Sequence, residues 1–312
     1  MPSPALPTNP TESAHRVRRA LLVANPISGA GRNKTAAPKL AEELGRLGVA
    51  ADVQFTKERG HAPKLADEAV AAGFDAVVGI GGDGTLREVA EGLRGRLPLG
   101  IFPTGTANVV ARELAIPFHA RGAAAVLAAG RVARIDTCRA NGRLVLFTVG
   151  AGLDGAIVHA LEGAGRTKAI SYASYLRPVW RTLRSYRAPR LRIAIDGAEP
   201  RAASFALVAA TRYYAGPWVR FRPGPSLVDG RVEVYCFDTP TLPSLLAVGL
   251  RGILRALPGG RVARASATRV RIESDEPVPV QADGDPFGTT PVDLEVQPRS
   301  LPVIVPAGTA FL

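Results

Sequence analysis

In the first part of the chain, short apolar runs alternate with segments of helical periodicity, and this alternation restricts the fold more than any other feature. Ala20–Ala24 ends in a Gly-rich turn and precedes a helical pattern through Leu40 and Leu44. Ala76–Ile80 and Leu97–Phe102 are likewise each followed by a helical pattern. Because strands alternating with helices form βαβ units, the pattern predicts a three-layer α/β domain with a parallel sheet. The uninterrupted apolar runs indicate strands buried on both faces.

The pattern changes after Asp136, where strand-like runs are joined by Asp-Gly, Pro-Gly and Gly-Gly turns. This pattern predicts a second, antiparallel, β-sandwich-like domain. Helical patterns interrupt it near Ile170–Ser185 and Leu242–Leu257. The predicted strands are Leu144–Val149, Leu191–Ile195, Phe205–Ala209, Val232–Phe237 and Val270–Ile272.

The length of 312 residues suits two domains. We predict a flexible tail over 1–19, an α/β domain over 20–136 and a β-rich domain over 137–299. The strand-like run Leu301–Val305 predicts that 300–312 returns to the first domain.

The composition, 46% hydrophobic and 21% charged, is typical of a globular protein with a full core. The net charge of +12 is compatible with an Arg-rich composition or with attraction to a polyanion. Two distant cysteines suggest a reducing compartment, and the tail lacks the apolar run of a secretory signal. We therefore expect a cytoplasmic protein whose membrane contact, at the inner face, is peripheral, since no apolar run is long enough to span a bilayer.

The segment Gly81–Thr85, Gly-Gly-Asp-Gly-Thr, follows a predicted buried strand and opens a helix. Glycines let a backbone approach a bulky ligand, and free N–H groups at a helix start favour phosphate. Thr85 and Glu88 fit a capping box with Thr85 as the N-cap. Asp83 would then face an anion site, which suggests a cation accompanying the phosphates, as Mg²⁺ accompanies ATP.

Two further Gly-containing loops, Asn25–Gly31 and Pro103–Asn108, follow the first and fourth predicted strands. Loops at the carboxyl ends of parallel strands share one sheet edge, where ligands bind. Either loop alone is equally compatible with a connecting turn. Together with Gly81–Thr85 they predict a nucleotide cradle.

In the order and spacing of such segments the chain resembles the diacylglycerol/sphingosine lipid kinase family. The resemblance implies ATP-dependent transfer of the γ-phosphate to a lipid hydroxyl, on diacylglycerol or a sphingoid base, in a cleft between the two domains. The segments that carry it are Asn25–Gly29, Thr56, Gly60–Ala62, Gly81–Thr85, Pro103–Asn108, Gly150–Gly155, Tyr213–Gly216, Asp229-Gly230 and Asp283–Asp285.

The resemblance also implies residue roles. Asp283 corresponds to the general base, with Asp83 as a rival, and Asp83 would organise Mg²⁺ through water. A carboxylate that accepts the hydroxyl proton and a metal that neutralises charge are what phosphoryl transfer requires. The residues expected at the ATP site are Asn25, Thr56, Gly81, Gly82, Asp83, Gly84, Thr85, Leu86, Arg87, Gly105, Thr106 and Asp285.

Two positions depart from the family pattern. Asp285 stands where the family usually has glutamate, which shortens the carboxylate by one methylene. Val228 precedes Asp229 where an acidic residue is common, so a second Mg²⁺ site at Asp229 stays open. A catalytically silent lipid- or nucleotide-binding protein is therefore an alternative.

The stretch Arg166–Arg192 contains eight Lys or Arg and no acidic residue. Arg177, Arg181 and Arg184 fall on one helical face. The stretch is compatible with an interfacial helix on anionic lipid or with an amphipathic helix that covers the second domain.

Other classes of protein fit less well. A nicotinamide-nucleotide kinase shares the Gly-Gly-Asp-Gly-Thr loop, but the Ser-Thr-Ala-Tyr-like segment typical of that family is absent. Nucleic acid is suggested by charge alone, and we expect none as a partner because no recognised module is present. The expected partners are ATP and a lipid, and the oligomeric state, with a homodimer as one option, is left open.

Overall fold

The structure, a computed structural model, describes residues 13–163, 172–214, 216–217, 219–221, 224–238, 241–253, 261–309 and 311. The chain divides into two compact units. Met1–Asp136, Leu227–Asp229 and Pro298–Phe311 belong to the first, and Thr137–Ser226 and Gly230–Gln297 to the second.

Strands are numbered in chain order. They are β1 (Ser13–Ala14), β2 (Arg19–Ala24), β3 (Ala50–Phe55), β4 (Ala76–Gly81), β5 (Leu99–Pro103), β6 (Arg131–Ala140), β7 (Arg143–Val145), β8 (Thr148–Ala151), β9 (Leu191–Ile195), β10 (Arg201–Ala203), β11 (Phe205–Ala209), β12 (Tyr213–Tyr214), β13 (Val219–Arg220), β14 (Val232–Phe237), β15 (Val262–Ala267), β16 (Arg269–Ser274), β17 (Pro279–Ala282), β18 (Asp285–Thr289) and β19 (Val292–Ile304).

The helices are numbered in the same way, and a 3₁₀ turn at Ser28–Gly31 precedes the first. They are α1 (Asn33–Arg46), α2 (His61–Ala71), α3 (Asp83–Leu93), α4 (Val109–Glu113), α5 (Ala120–Ala129), α6 (Leu153–Gly163), α7 (Tyr172–Ser185) and α8 (Leu242–Ile253). No helix among these described residues is long and apolar enough to cross a membrane.

The first unit is built on a parallel sheet in which β3, β2, β4, β5 and the end of β19 are neighbours. Alternate residues of β4 contact opposite helical layers. Val78 and Ile80 pack in one cluster with Leu40 of α1 and Leu127 of α5. Gly79 faces the other way, where an added methyl group would lie 2.7 Å from a methyl carbon of Leu86 in α3. The predicted three-layer α/β arrangement is confirmed.

The second unit is antiparallel throughout its paired strands. One sheet has the order β15-β14-β11-β8-β17-β18. A second group comprises β10, β9, β16 and the start of β19. Phe205, Phe221, Tyr235 and Phe237 lie in the core against α6 and α8 residues. The predicted antiparallel, sandwich-like character is confirmed.

Residues 13–19, which the sequence assigned to a flexible tail, are ordered. Ser13 pairs with Val132 across β1 and β6. The Asp75 carboxylate accepts hydrogen bonds from Arg18 N at 2.7 Å and Arg19 N at 2.8 Å. Part of the predicted tail therefore belongs to the first unit, because it supplies a pairing strand and the start of β2.

Several element bounds differ from the sequence predictions. The helical pattern predicted after Leu97–Phe102 begins at Thr106 in the sequence but gives only the short α4, since Asn108 adopts a left-handed conformation with φ +47°. The predicted strand Leu144–Val149 is divided between β7 and β8. The beginning of the helix predicted near Ile170 and the end of that predicted to Leu257 lie outside the described residues.

Helices α2 and α3 contact each other at Gly92, where an added methyl group would lie 2.1 Å from the carbonyl oxygen of Pro63. We expect Gly92→Ala to lower the free energy of unfolding by about 1–3 kcal/mol through overpacking. Gly45→Ala is the matched control, because nothing lies within 4 Å of a methyl group there and helix propensity favours alanine. Thermal melts that show Gly92→Ala as stable as Gly45→Ala would contradict this packing.

Candidate functional site

Three glycine-containing loops meet at one edge of the first unit's sheet. A methyl group on Gly29 would lie 2.7 Å from the carbonyl oxygen of Thr104. One on Gly105 would lie 2.5 Å from the Cα atom of Gly82. The loops after β2, β4 and β5 are therefore in mutual backbone contact, and the glycines at Gly29 and Gly105 are what allow it.

Hydrogen bonds fix the same loops. Thr104 N and Gly105 N donate to the carbonyl oxygen of Gly81 at 3.0 and 3.3 Å. Asn108 Nδ2 donates to Gly105 O at 2.7 Å, and Asn108 Oδ1 accepts from Gly105 N at 3.0 Å. The Pro103–Asn108 loop is thus held both to the Gly81 loop and to itself.

Asn33, at the start of α1, joins two of these loops although the sequence analysis did not single it out. Its Nδ2 atom donates to Asn25 O at 2.7 Å and to Ile80 O at 3.2 Å. Its Oδ1 atom and Thr104 Oγ1 are buried and have no hydrogen-bond partner among the described residues. Buried polar atoms without a partner are costly, so both mark this edge as a place for a polar ligand or water.

The Asp83 carboxylate is buried and hydrogen-bonded to backbone. Its Oδ2 atom accepts from Val109 N at 3.0 Å and its Oδ1 atom from Val110 N at 3.2 Å, so it caps the start of α4. Burial raises the pKa of Asp83, against the lowering effect of these N–H donors. Asp83 therefore joins α3 to α4 inside the first unit.

The predicted capping box is wrong. Helix α3 begins at Asp83 with Gly82 as the N-cap, and no side chain caps it. Thr85 lies one turn further in and packs over Gly81, whose added methyl group would come 2.4 Å from Thr85 Oγ1. The physical reason is that the extended backbone of Gly82 already caps the helix three residues earlier than Thr85.

The other residues expected at the nucleotide site differ in exposure. Thr106 is exposed, and Gly82, Gly84, Arg87 and Gly105 are half-buried at the loop edge, where a ligand can reach them. Leu86 is instead in the core beneath β4. Thr56 is buried, with its N–H donating to Ala24 O at 2.9 Å, and Asn25 Oδ1 accepts from Ile27 N at 3.1 Å.

In the second unit, Asp283 follows β17 in a left-handed conformation with φ +51°. Its carboxylate accepts hydrogen bonds from Leu146 N at 2.8 Å, Phe147 N at 2.9 Å and Thr148 N at 3.1 Å. Its own N–H donates to Thr148 O at 2.9 Å. These bonds fix the orientation of the carboxylate and stabilise its negative charge.

A second carboxylate, Asp154, is half-buried and lies in the first turn of α6. The hydroxyl of Tyr214 donates to its Oδ1 atom, and Gln281 Nε2 donates to its Oδ2 atom at 2.6 Å. Loss of solvent contact raises the pKa of Asp154. Loss of solvent contact, and then the negative charge of Asp154, raise the pKa of Tyr214. The sequence analysis included Asp154 and Tyr214 only within motifs and missed Gln281, because a glutamine in a strand carries no recognisable signal.

Metal ligands are sparse. Within the described residues, no group of three or more His, Cys, Asp or Glu could hold a metal ion. Asp229 is exposed and Asp285, at the start of β18, is half-buried. A divalent cation that retained water and phosphate ligands would need only one or two protein carboxylates, which fits a single carboxylate such as Asp83 beside the loops.

The arrangement is suited to binding an anion with phosphate groups in the first unit, where glycine backbone surrounds one edge of a parallel sheet. The second unit supplies an oriented carboxylate at Asp283. Each unit therefore contains one of the two aspartates that the sequence analysis assigned to catalysis.

Comparison with known proteins matches both units. The diacylglycerol kinase catalytic domain profile matches residues 19–140. The profile described as YegS C-terminal NAD kinase beta sandwich-like domain matches residues 147–305. A "Probable lipid kinase YegS-like" protein of Pseudomonas aeruginosa is 34% identical over 83% of this chain and 86% of its own length.

More distant relatives agree. A diacylglycerol kinase of Bacillus subtilis is 27% identical over 93% of this chain and 97% of its own length. The crystal structure of a diacylglycerol kinase from Bacillus anthracis superimposes with a TM-score of 0.72 at 23% identity, covering 94% of this chain and 99% of that one. The latter likeness supports the fold.

The hydrogen bonds of Asp83 predict that Asp83→Asn destabilises the protein. In Asp83→Asn one side-chain NH₂ would oppose a backbone N–H of α4, and we expect a loss of about 1–3 kcal/mol in the free energy of unfolding. Asp52→Asn is the control: Asp52 pairs with Arg19 at 2.8 Å, both side chains are about half exposed, and the expected loss is about 0–1 kcal/mol. Equal melting temperatures for the two variants would argue against the capping role.

Proposed function

Because the chain belongs to the family of diacylglycerol kinases and YegS-like lipid kinases, we propose that it transfers the γ-phosphate of ATP to a hydroxyl group of a membrane lipid, such as diacylglycerol or a sphingoid base. As a member it is a phosphotransferase with an alcohol acceptor. The observation that carries the choice of donor is the backbone contact among three glycine loops at one sheet edge.

ATP would bind at these loops with its phosphates beside Gly82, Gly84 and Gly105. The absence of side chains at Gly82 and Gly84 would leave the backbone N–H groups at the start of α3 accessible to phosphate oxygens, whereas Gly105 N already donates within the loops. Thr106 is exposed on the same loop and can donate a hydroxyl hydrogen bond. The unpartnered Oδ1 atom of Asn33 offers an acceptor behind the loops.

Mg²⁺ would be held by the nucleotide phosphates and, through water, by Asp83. When bound it neutralises the charge that develops on the transferred phosphoryl group. A carboxylate has about four lone-pair sites, so the N–H bonds from Val109 and Val110 leave acceptor capacity for water. A second ion at Asp229, and a nucleotide or metal contact of Asp285, are part of the same proposal.

Asp283 is the better candidate for the general base. It would accept the proton of the lipid hydroxyl as that oxygen bonds to the γ-phosphorus, while the bond to the bridging oxygen breaks and ADP leaves. Three N–H donors hold its carboxylate in one orientation. Asp83 is less suited, because it lies within the nucleotide unit, where its carboxylate is proposed to hold Mg²⁺ through water while it caps α4.

We also propose a peripheral membrane contact at the inner face of the membrane. Helices α7 and α8 contact each other in the second unit. Among their described side chains three large apolar ones are exposed, of which Trp180 is 48% and Leu250 57% exposed. Arg177, Arg181 and Arg184 are exposed on α7 as well. Exposed apolar groups beside cations are typical of surfaces that lie on anionic lipid.

The proposed activity predicts label transfer to lipid. With γ-labelled ATP and Mg²⁺, we expect the protein to transfer label to a component of a total lipid extract. The same labelled product should form when diacylglycerol or a sphingoid base is the only lipid supplied. Asp283→Asn should lower this rate by about 10²–10⁴-fold, since it removes proton acceptance. Chromatographic resolution of the labelled products identifies the acceptor.

The control is Gly82→Ala, whose methyl group would lie 3.4 Å from Gly105 Cα and so fits the fold while it enters the proposed phosphate site. It should raise the KM for ATP, and Asp283→Asn should leave ATP binding unchanged. A folded protein that binds ATP and labels no lipid would contradict the lipid acceptor. Labelling of a nicotinamide nucleotide instead would identify the alternative substrate class.

The membrane surface is tested by vesicle sedimentation. Combined Arg177→Gln, Arg181→Gln and Arg184→Gln should weaken binding to phosphatidylglycerol vesicles by about 1 kcal/mol per residue. A control with the same change in net charge replaces exposed arginines of the first unit by glutamine. Its positions are Arg94, Arg121 and Arg134. Equal losses for the two triple variants would refute this surface and indicate attraction by net charge alone.

A further inference from the structure

We propose that Asp154 and Gln281 are positioning residues: the hydrogen-bonded chain Tyr214–Asp154–Gln281–Gly284 holds the turn that carries Asp283 in the conformation needed for transfer. The inference rests on the proposed function, since it takes Asp283 as the group that accepts the hydroxyl proton.

In this series of hydrogen bonds, each oxygen of the Asp154 carboxylate accepts from one side-chain donor. Tyr214 OH donates to Asp154 Oδ1, and Gln281 Nε2 donates to Asp154 Oδ2 at 2.6 Å. Gln281 is 1% exposed. Asp154 itself is half-buried, and charge removed from water is unfavourable unless it is hydrogen-bonded, so the two donors favour the ionised form of Asp154.

The series of hydrogen bonds ends at the turn that carries Asp283. Gln281 Oε1 accepts from Gly284 N at 2.8 Å, directly after Asp283 in sequence. Asp283 and Gly284 both have left-handed backbones, with φ of +51° and +78°. A non-glycine residue keeps that conformation only where its surroundings hold it, and the Gln281 amide is one such restraint.

The helix that carries Asp154 is fixed to the strand that carries Gln281. Gly152 N donates to Pro279 O at 3.0 Å, and His159 Nε2 is 2.9 Å from Val280 O. A methyl group on Gly155 would lie 2.1 Å from Pro279 O. Asp154 therefore orients the Gln281 amide from a backbone that cannot easily shift.

The bond from Gln281 to Asp154 and the bond from Gly284 N to Gln281 depend on each other through the orientation of the Gln281 amide. Gln281 must present its NH₂ to Asp154 and its oxygen to Gly284 N. If the amide turned over, its oxygen would face the Asp154 carboxylate and its NH₂ would face an N–H donor. The Asp154 carboxylate thus selects the only amide orientation that restrains the turn.

This dependence permits a test by exchange of partners. Asp154→Asn removes the charged acceptor that selects one orientation of the Gln281 amide, because the Asn amide can itself turn and donate to Tyr214 OH. Gln281→Glu places two carboxylates against each other. The double variant Asp154→Asn/Gln281→Glu restores every bond: Asn Nδ2 donates to one Glu oxygen, the other accepts from Gly284 N, and Tyr214 still donates to Asn Oδ1. Such a cycle isolates the pair from either residue alone.

We expect each single variant to lower kcat for lipid phosphorylation by roughly tenfold or more, with the KM for ATP unchanged, because the base is misplaced. The double variant should recover kcat to within roughly threefold of the parent. All rates are measured at a temperature where circular dichroism shows each protein folded. A double variant as slow as the singles would overturn the proposal and would favour direct contact of Asp154 with the acceptor.

Hydrogen exchange of the peptide containing Gly284 provides a readout that does not depend on activity. Exchange should be faster in both single variants and return to the parental rate in the double variant. Unchanged exchange in the singles would overturn the positioning role even if kcat fell. If the parent labels no lipid, the proposed function fails, while restored protection in the double variant would still establish the restraint on the turn.

Discussion

Buried carboxylates bonded to backbone N–H groups are the interaction on which the candidate catalytic loop of each unit depends. Asp83 joins α3 to α4 in the first unit, and Asp283 joins the end of β17 to the residues that enter β8. A loop lacks the regular backbone hydrogen bonds of a helix or a sheet. A carboxylate that accepts hydrogen bonds from several of its N–H groups therefore holds the loop in one conformation. The residues that the family resemblance assigns to chemistry are therefore structural residues as well.

This double use changes how loss of activity is interpreted. Removal of charge at Asp83 or Asp283 disturbs the backbone that places neighbouring groups, and the catalytic and structural effects coincide. Glycines of the loops allow a cleaner separation. Gly82 has room for a methyl group and Gly105 has none, although both lie at the same edge. Gly82→Ala therefore tests contact with a bound ligand, whereas Gly105→Ala tests the packing of the loops against each other.

Much of the fold was predictable, because strands buried on both faces have apolar runs that end at glycine-containing turns, as β2 and β4 do. The short strands β17 and β18 were missed because β17 has only four residues and β18, Asp-Pro-Phe-Gly-Thr, contains both proline and glycine. The N-cap at Thr85 was wrong because Gly82 has no side-chain signal. Asn33 could not be found, since one asparagine near a helix start is common and its role depends on carbonyl groups far away in sequence.

Strand β19 carries a consequence for biosynthesis. Val303 pairs with Leu99 of β5, so the first unit's sheet is completed by residues that come after Gln297 in sequence. A nascent chain that has emerged only to Asp136 therefore has an open edge on β5, of the kind that pairs with other chains. The first unit to be synthesised is thus the last to be closed, and the intervening residues are synthesised as an insertion within it.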